Sequence, residues 1–237
     1  MFRWIGVLLV AVTLGGCTIP KVPFDRAAAG HVKTIGIVTP AFPTGPSVEL
    51  ATSVGQSFGL IGALVDAAML ADRNARFGKV LEQQNFSAID TYTRHLADRL
   101  TARGYAVKPI AIKRESAEFA ASYPPHGETG VDAYLDTVVI SYGYIAAGIA
   151  SNTPYRPRFL VRARLANATD TAVLMEDAVI YNHVGPAAMQ SQAVTLAPDA
   201  AHRFDTFDIL LADPENAVRG LRTATEQSAE AISHLLK

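Results

Sequence analysis

The chain has 237 residues, 49% of them hydrophobic and 18% charged, with a formal net charge of −1 and a pI near 6.6. That length suits one domain with a sizeable core, and the near-neutral balance excludes the basic footprint of a nucleic-acid-binding protein. A single cysteine excludes an intrachain disulfide, so stability has to come from packing.

The first element is a targeting segment. Arg3 supplies a positive head, and Trp4 to Leu14 is uncharged and mostly apolar. The stretch is about half the roughly 20 residues a membrane-spanning helix requires, which predicts a cleaved signal. It ends in Leu14-Gly15-Gly16-Cys17, an aliphatic residue, two small ones and the cysteine. This resembles the lipobox of bacterial lipoproteins. The resemblance implies that residues 1–16 are a signal peptide, removed by cleavage, and that Cys17 carries the acyl chains. At roughly 0.8 kcal/mol per buried methylene, several long chains make release from the bilayer negligible. Thr18, not aspartate, follows the cysteine; by the enterobacterial sorting rule this implies the outer membrane, periplasmic face. Residues 17–31 then read as a lipidated tether, with Pro20 and Pro23 opposing a regular element, and residues 32–237 as the periplasmic domain.

Lys33 to Pro40 is a predicted strand with a β-branched centre and a proline stop. A loop through Pro43 and Pro46 leads to an uncharged run from Leu50 to Val65, in which Gly55, Gly59 and Ala63 share one helix face. The expectation is an apolar, Gly-containing helical insertion near 48–72, buried inside the domain or between protomers, with a homo-oligomer closing through Gly55 and Gly59. Small residues at this spacing also suit a membrane or ring-forming helix pair. The same run contains Gly55-Gln56-Ser57-Phe58-Gly59, a match to the G-x-S-x-G elbow of serine hydrolases, for which Asp177 with His183 or His202 would stand in the required order. Too little chain precedes Ser57 for the usual upstream strands, and no HGGG-like oxyanion stretch is present. A non-enzymatic reading therefore ranks above the hydrolase alternative.

Asn85 to Arg103 predicts the clearest amphipathic helix. Phe86, Ile89, Tyr92, Leu96 and Leu100 form its buried stripe, Asn85 or Ser87 its cap, and Gly104 its stop. Tyr105 to Ile112 reads as a strand, at an edge because of Pro109. A short helical pattern at 115–121 precedes a loop at 123–130. There His126-Gly127-Glu128 matches half of a zinc deaminase signature whose cysteine half is missing. The six histidines show no ligand spacing, and neither metal nor cofactor is expected.

Asp136 to Ile145 is continuous enough for a central strand buried on both faces. Arg158 to Leu165 alternates, with Phe159, Val161, Ala163 and Leu165 inward and Arg158, Arg162 and Arg164 outward. A turn at 167–170 returns the chain through 172–182, placing Arg162 opposite about Glu176 as a surface pair worth roughly 0.2–1 kcal/mol. Gly185 to Pro198 reads as loop, and Phe204 to Leu211 as a short strand or helix. Asp213-Pro214-Glu215 opens a final helix whose buried stripe is Val218, Leu221, Thr225, Ile232 and Leu235.

The order β-α-β-(α)-β-β-β-α predicts a one-domain α+β fold, a mixed sheet with an antiparallel meander and packed helices. Lys33 to Val38, Asp136 to Ser141 and the hairpin from Phe159 to Glu176 resemble the α/β domain of certain periplasmic lipoproteins. That group includes the curli secretion channel lipoprotein, the lipoprotein activator of penicillin-binding proteins, and the N-terminal domain of the Tol propeller protein. The resemblance implies a protein-binding or assembly factor of the cell envelope with an envelope protein as partner.

Overall fold

The computed structural model describes residues 21–51, 59–114, 116–148, 153–185 and 192–237. The elements in chain order are β1 (Thr34–Val38), β2 (Ser47–Leu50), α1 (Gly59–Gln83), α2 (Ala88–Ala102) and β3 (Ala106–Ile110). They continue through α3 (His126–Thr129), β4 (Ala133–Ala146), β5 (Arg156–Asn167), β6 (Val173–Tyr181), β7 (Val194–Leu196), α4 (Phe207–Ala212) and α5 (Pro214–His234). Seven strands form one mixed sheet in the order β3-β1-β4-β5-β6-β7, with β2 on the C-terminal half of β4. The α+β class and the β4-β5-β6 antiparallel meander are as expected. β3 is an edge strand, as Pro109 requires.

One sheet face is packed by α2 and α5. Tyr92, Leu96 and Leu100 of α2 and Ala224, Ala229 and Ile232 of α5 close over Ile35, Leu135, Val161 and Leu165. The caps follow side-chain chemistry: Ser87 accepts from the Asp90 amide at 3.2 Å, and Asp213 from the Asn216 amide at 3.2 Å. Gly104, at φ +92°, ends α2.

β4 is the organising strand, and a bulge at Ile140 changes what its two halves face. Val139 opposes Val161 while Ser141 opposes Leu160, so one residue is extra. Leu135 and Val139 face the helices before the bulge; Tyr142 and Tyr144 do so after it. Tyr144 donates to the Ala217 carbonyl of α5 at 2.8 Å. Gly143, at φ +143°, lets β2 lie against β4: a Cβ there would stand 2.0 Å from the Ser47 carbonyl oxygen.

The opposite face is closed by the segment leading from β3 to β4. The helix expected at 115–121 is absent among its described residues, which form bends. Its side chains go to the sheet instead of to a helical stripe. Arg114 pairs with the fully buried carboxylate of Asp136, which also accepts from the Ala120 amide at 2.8 Å and the Tyr123 hydroxyl at 3.1 Å. Phe119 lies over Arg162 and Arg164, with ring centroids 4.8 and 4.2 Å from their guanidinium carbons.

Further findings concern local structure. Glu176 sits opposite Arg164, not Arg162, and bonds Arg164 at 2.8 Å; Arg162 reaches it diagonally at 3.5 Å. The hairpin turn runs to Ala172, and an irregularity at Leu165/Ala166 shifts the register. Glu176 is buried, with Phe119 over the two arginines it pairs with, so the pair is no surface bridge. The 123–130 loop contains the one-turn helix α3 and the 185–198 stretch contains β7, while 204–211, expected as a short strand or helix, is a helix from Phe207.

From Lys21 on, the stretch expected as a tether lies on the body. Val22 exchanges two backbone hydrogen bonds with Glu176, both 2.8 Å, and Ala29 is buried.

Candidate binding surface

The uncharged run does not form one buried helix. Its start, Leu50, ends strand β2, and α1 begins at Gly59. Gly55, Ser57 and Cys17 lie outside the described residues. The second half of α1 is anchored by Phe77, Val80 and Leu81, which meet Val48, Tyr144 and Phe204 in a core of their own. Spacing of three and four residues puts these side chains on one face.

Among the described residues, the first half has no such cover. Asp66, Leu70 and Arg73 lean half-buried toward Glu49 and Leu50 of β2 across a groove of about 370 Å³. Asn74 fixes that contact by accepting the Val48 amide at 2.7 Å. On the other side Leu64, Val65 and Met69 are 64%, 53% and 51% exposed. The expectation that this helix is buried inside the domain is thereby corrected from Ala63 onward, where Ala63, Leu64, Val65, Ala67 and Ala68 all meet solvent. A helix that is apolar on its outward side and packed into a core by its second half presents a ready contact surface. No described helix is long and apolar enough to cross a membrane.

A second hollow of about 690 Å³ lies between the 44–46 loop, α1 and the start of α2, with Asn74, Glu82, Phe86 and Tyr142 among its walls. Burial raises the Tyr142 phenol above its usual range, so it is a neutral hydrogen-bonding group there. The Asn74 carbonyl oxygen is already committed to β2.

The other sequence candidates are placed as follows. Asp177, on β6, pairs with Lys21 at 3.2 Å and accepts from the Ala178 amide. His202 is hydrogen-bonded to Asn216 at 2.9 Å, and His183 follows the end of β6. His126 in α3 turns Nδ1 to the Val131 carbonyl at 2.7 Å, while Glu128 is exposed. Among the described residues no group of three or more His, Cys, Asp or Glu is placed to hold a metal ion.

Sequence reasoning missed the exposed surface because it took an apolar run for a core run. One signal could have found it. The periodic stripe belongs to Phe77, Val80 and Leu81, whereas Ala63 to Ala71 is apolar on several sides without a polar face, apart from Asp66.

No protein-family model and no curated protein matches the sequence. Among solved structures, the chain is similar to two crystal forms of the PelC dodecamer from Paraburkholderia phytofirmans, one of them a point variant. The identities are 11% and 10%, with 92% of this chain covered in both cases. The shares of the neighbours covered are 95% and 96%, and the TM-scores are 0.37 and 0.39. At that identity and score, neither neighbour's assembly or role transfers to this chain.

Proposed function

We propose that this protein is a lipid-anchored, non-enzymatic lipoprotein of the outer membrane's periplasmic face, and that it docks an envelope protein through the first half of α1. The observation that carries the binding role is the exposure of Leu64, Val65 and Met69 on a helix whose other half is firmly anchored. Anchoring itself is argued from the lipobox-like run ending at Cys17. Burying the remaining exposed surface of the three side chains contributes about 3 kcal/mol, near two orders of magnitude in affinity.

The anchor is tested by Cys17→Ser. The variant is expected in the soluble fraction without labelled palmitate, and retention in the membrane fraction would contradict the anchor. For the surface, a photo-crosslinker at Val65 in intact cells should give one dominant adduct. The double variant Leu64→Asp/Met69→Asp should abolish it while moving stability by about 0.5 kcal/mol per substitution or less, as for exposed sites. An adduct that survives the charge pair overturns the docking role. An adduct of twice the chain mass makes the partner a second copy, the ring-forming alternative.

A further inference from the structure

We propose that the β6 edge where the chain enters the domain, around Lys21, Val22 and Val173, is the face held against the lipid bilayer. This rests on acylation of Cys17 and adds an orientation to it.

The segment following the anchor is fastened, residue by residue, to the body. Val22 N–H donates to Glu176 O and Glu176 N–H to Val22 O, both at 2.8 Å, which makes Val22 a short piece of edge strand. The Lys21 ammonium reaches the Asp177 carboxylate at 3.2 Å. Phe24 packs on the main core, Asp25 accepts the Ala27 amide at 2.8 Å, and Ala29 and Val32 are buried just before β1. The covalent path from Cys17 to the first fastened residue, Lys21, is four peptide steps, a reach of at most about 14 Å.

A folded body of some two hundred residues is roughly 40 Å across. The leash is shorter than its radius. The point of attachment thus stays in the membrane-facing half, within about 14 Å of the lipid, whereas the untied far edge of the sheet is free to stand farther away. That far edge is β3, four strand spacings from β6, or about 19 Å. The chemistry of the near edge suits an interface. Val22 and Val173 are 36% and 39% exposed, and the Lys21 side chain is half-exposed beside them, its charge matched by Asp177. The adjacent carboxylates, Glu176 and Asp177, are buried and paired with Arg164 and Lys21.

The test uses the full-length acylated protein in phosphatidylethanolamine/phosphatidylglycerol vesicles that contain a headgroup-nitroxide lipid. A fluorophore is placed at Val173→Cys or at Lys108→Cys on β3; acylated Cys17 offers no competing thiol. Quenching several-fold stronger at position 173 than at 108 is expected. Inserting a flexible Gly/Ser stretch of about twelve residues between Pro20 and Lys21 should bring the two positions close to equality, because its root-mean-square length is about 20 Å. Equal quenching in the native membrane-bound protein, or stronger quenching at 108, overturns the orientation and leaves the anchor standing. A difference that survives the insertion overturns the short leash as its cause. Should the protein float free of the vesicles and take up no palmitate, the acylation reading falls and this inference with it.

Discussion

Asp136→Ala should lower the melting temperature by roughly 6–20 °C, since removing one partner of a buried ion pair costs about 3–5 kcal/mol and a domain of this size shifts about 2–4 °C per kcal/mol. The carboxylate is fully buried on β4 and takes three donors from one segment: Arg114, the Ala120 amide and the Tyr123 hydroxyl. Arg114 also donates to the Thr39 carbonyl, just after β1, at 2.7 Å and to the Glu118 carbonyl of its own segment at 3.0 Å, so it ties the covering segment both to the sheet and to itself. Without Asp136 a nearly buried guanidinium loses its counter-charge, and the segment loses its central fastening. The face beneath it, with Phe119 over Arg162 and Arg164, should then open. Thermal unfolding and binding of a hydrophobic dye measure both effects. Asp136→Asn preserves the shape but not the charge and should recover only a small part of the loss. Full recovery by Asn would show that packing, not charge, holds the segment down.

Gly143→Ala should be of comparable size. The new Cβ would meet the Ser47 carbonyl oxygen at 2.0 Å, and a φ of +143° is strained for any residue with a side chain. Backbone strain and overpacking together cost roughly 4 kcal/mol. Backbone is what it strikes, so no rotamer relieves the clash and β2 has to move. β2 holds α1 through Val48 and Asn74, and its Glu49 and Leu50 floor the groove under α1. Loss of stability should therefore come with faster amide exchange in the first half of α1, while amides of α2 and α5 over the main core stay protected. Uniform loss of protection across all three helices would mean that β2 and the main core unfold as one unit.

The anchoring effects are local to the surface where they arise. Leu64 and Met69 can take charge without disturbing the fold because no described residue covers them. Phe77, only two turns further along the same helix, is fully buried and cannot.

Much of this fold was legible in the chain because the periodicities are strong and the caps chemical. Tyr92, Leu96 and Leu100 step along one face whatever they pack against, and Ser87 and Asp213 cap because their own side chains reach their own helix amides. The alternation from Phe159 to Leu165 likewise assigned the inward face of β5 correctly. These are properties of neighbours in sequence. Strand β2 has only four residues and β7 three, and each exists because a distant strand offers an edge, so nothing nearby announces it. The register that joins Glu176 to Arg164 depends on where the turn closes, which a one-residue irregularity can shift. Asp136 looked like the polar start of a buried strand; only the return of Arg114 and Tyr123 from outside that strand makes it a fastening.

The binding surface shows the same division. By itself the sequence determined that Leu50 to Val65 would be apolar and uncharged, that the chain would build a mixed α+β sheet, and that the final helix would start at Asp213 and Pro214. Hydrophobicity states what a segment gains from leaving water and does not say whether a partner is there to receive it. The tertiary structure alone decided that Phe77 meets Tyr144, with ring centroids 5.4 Å apart, while Leu64, about three and a half turns earlier on the same helix, is left 64% exposed.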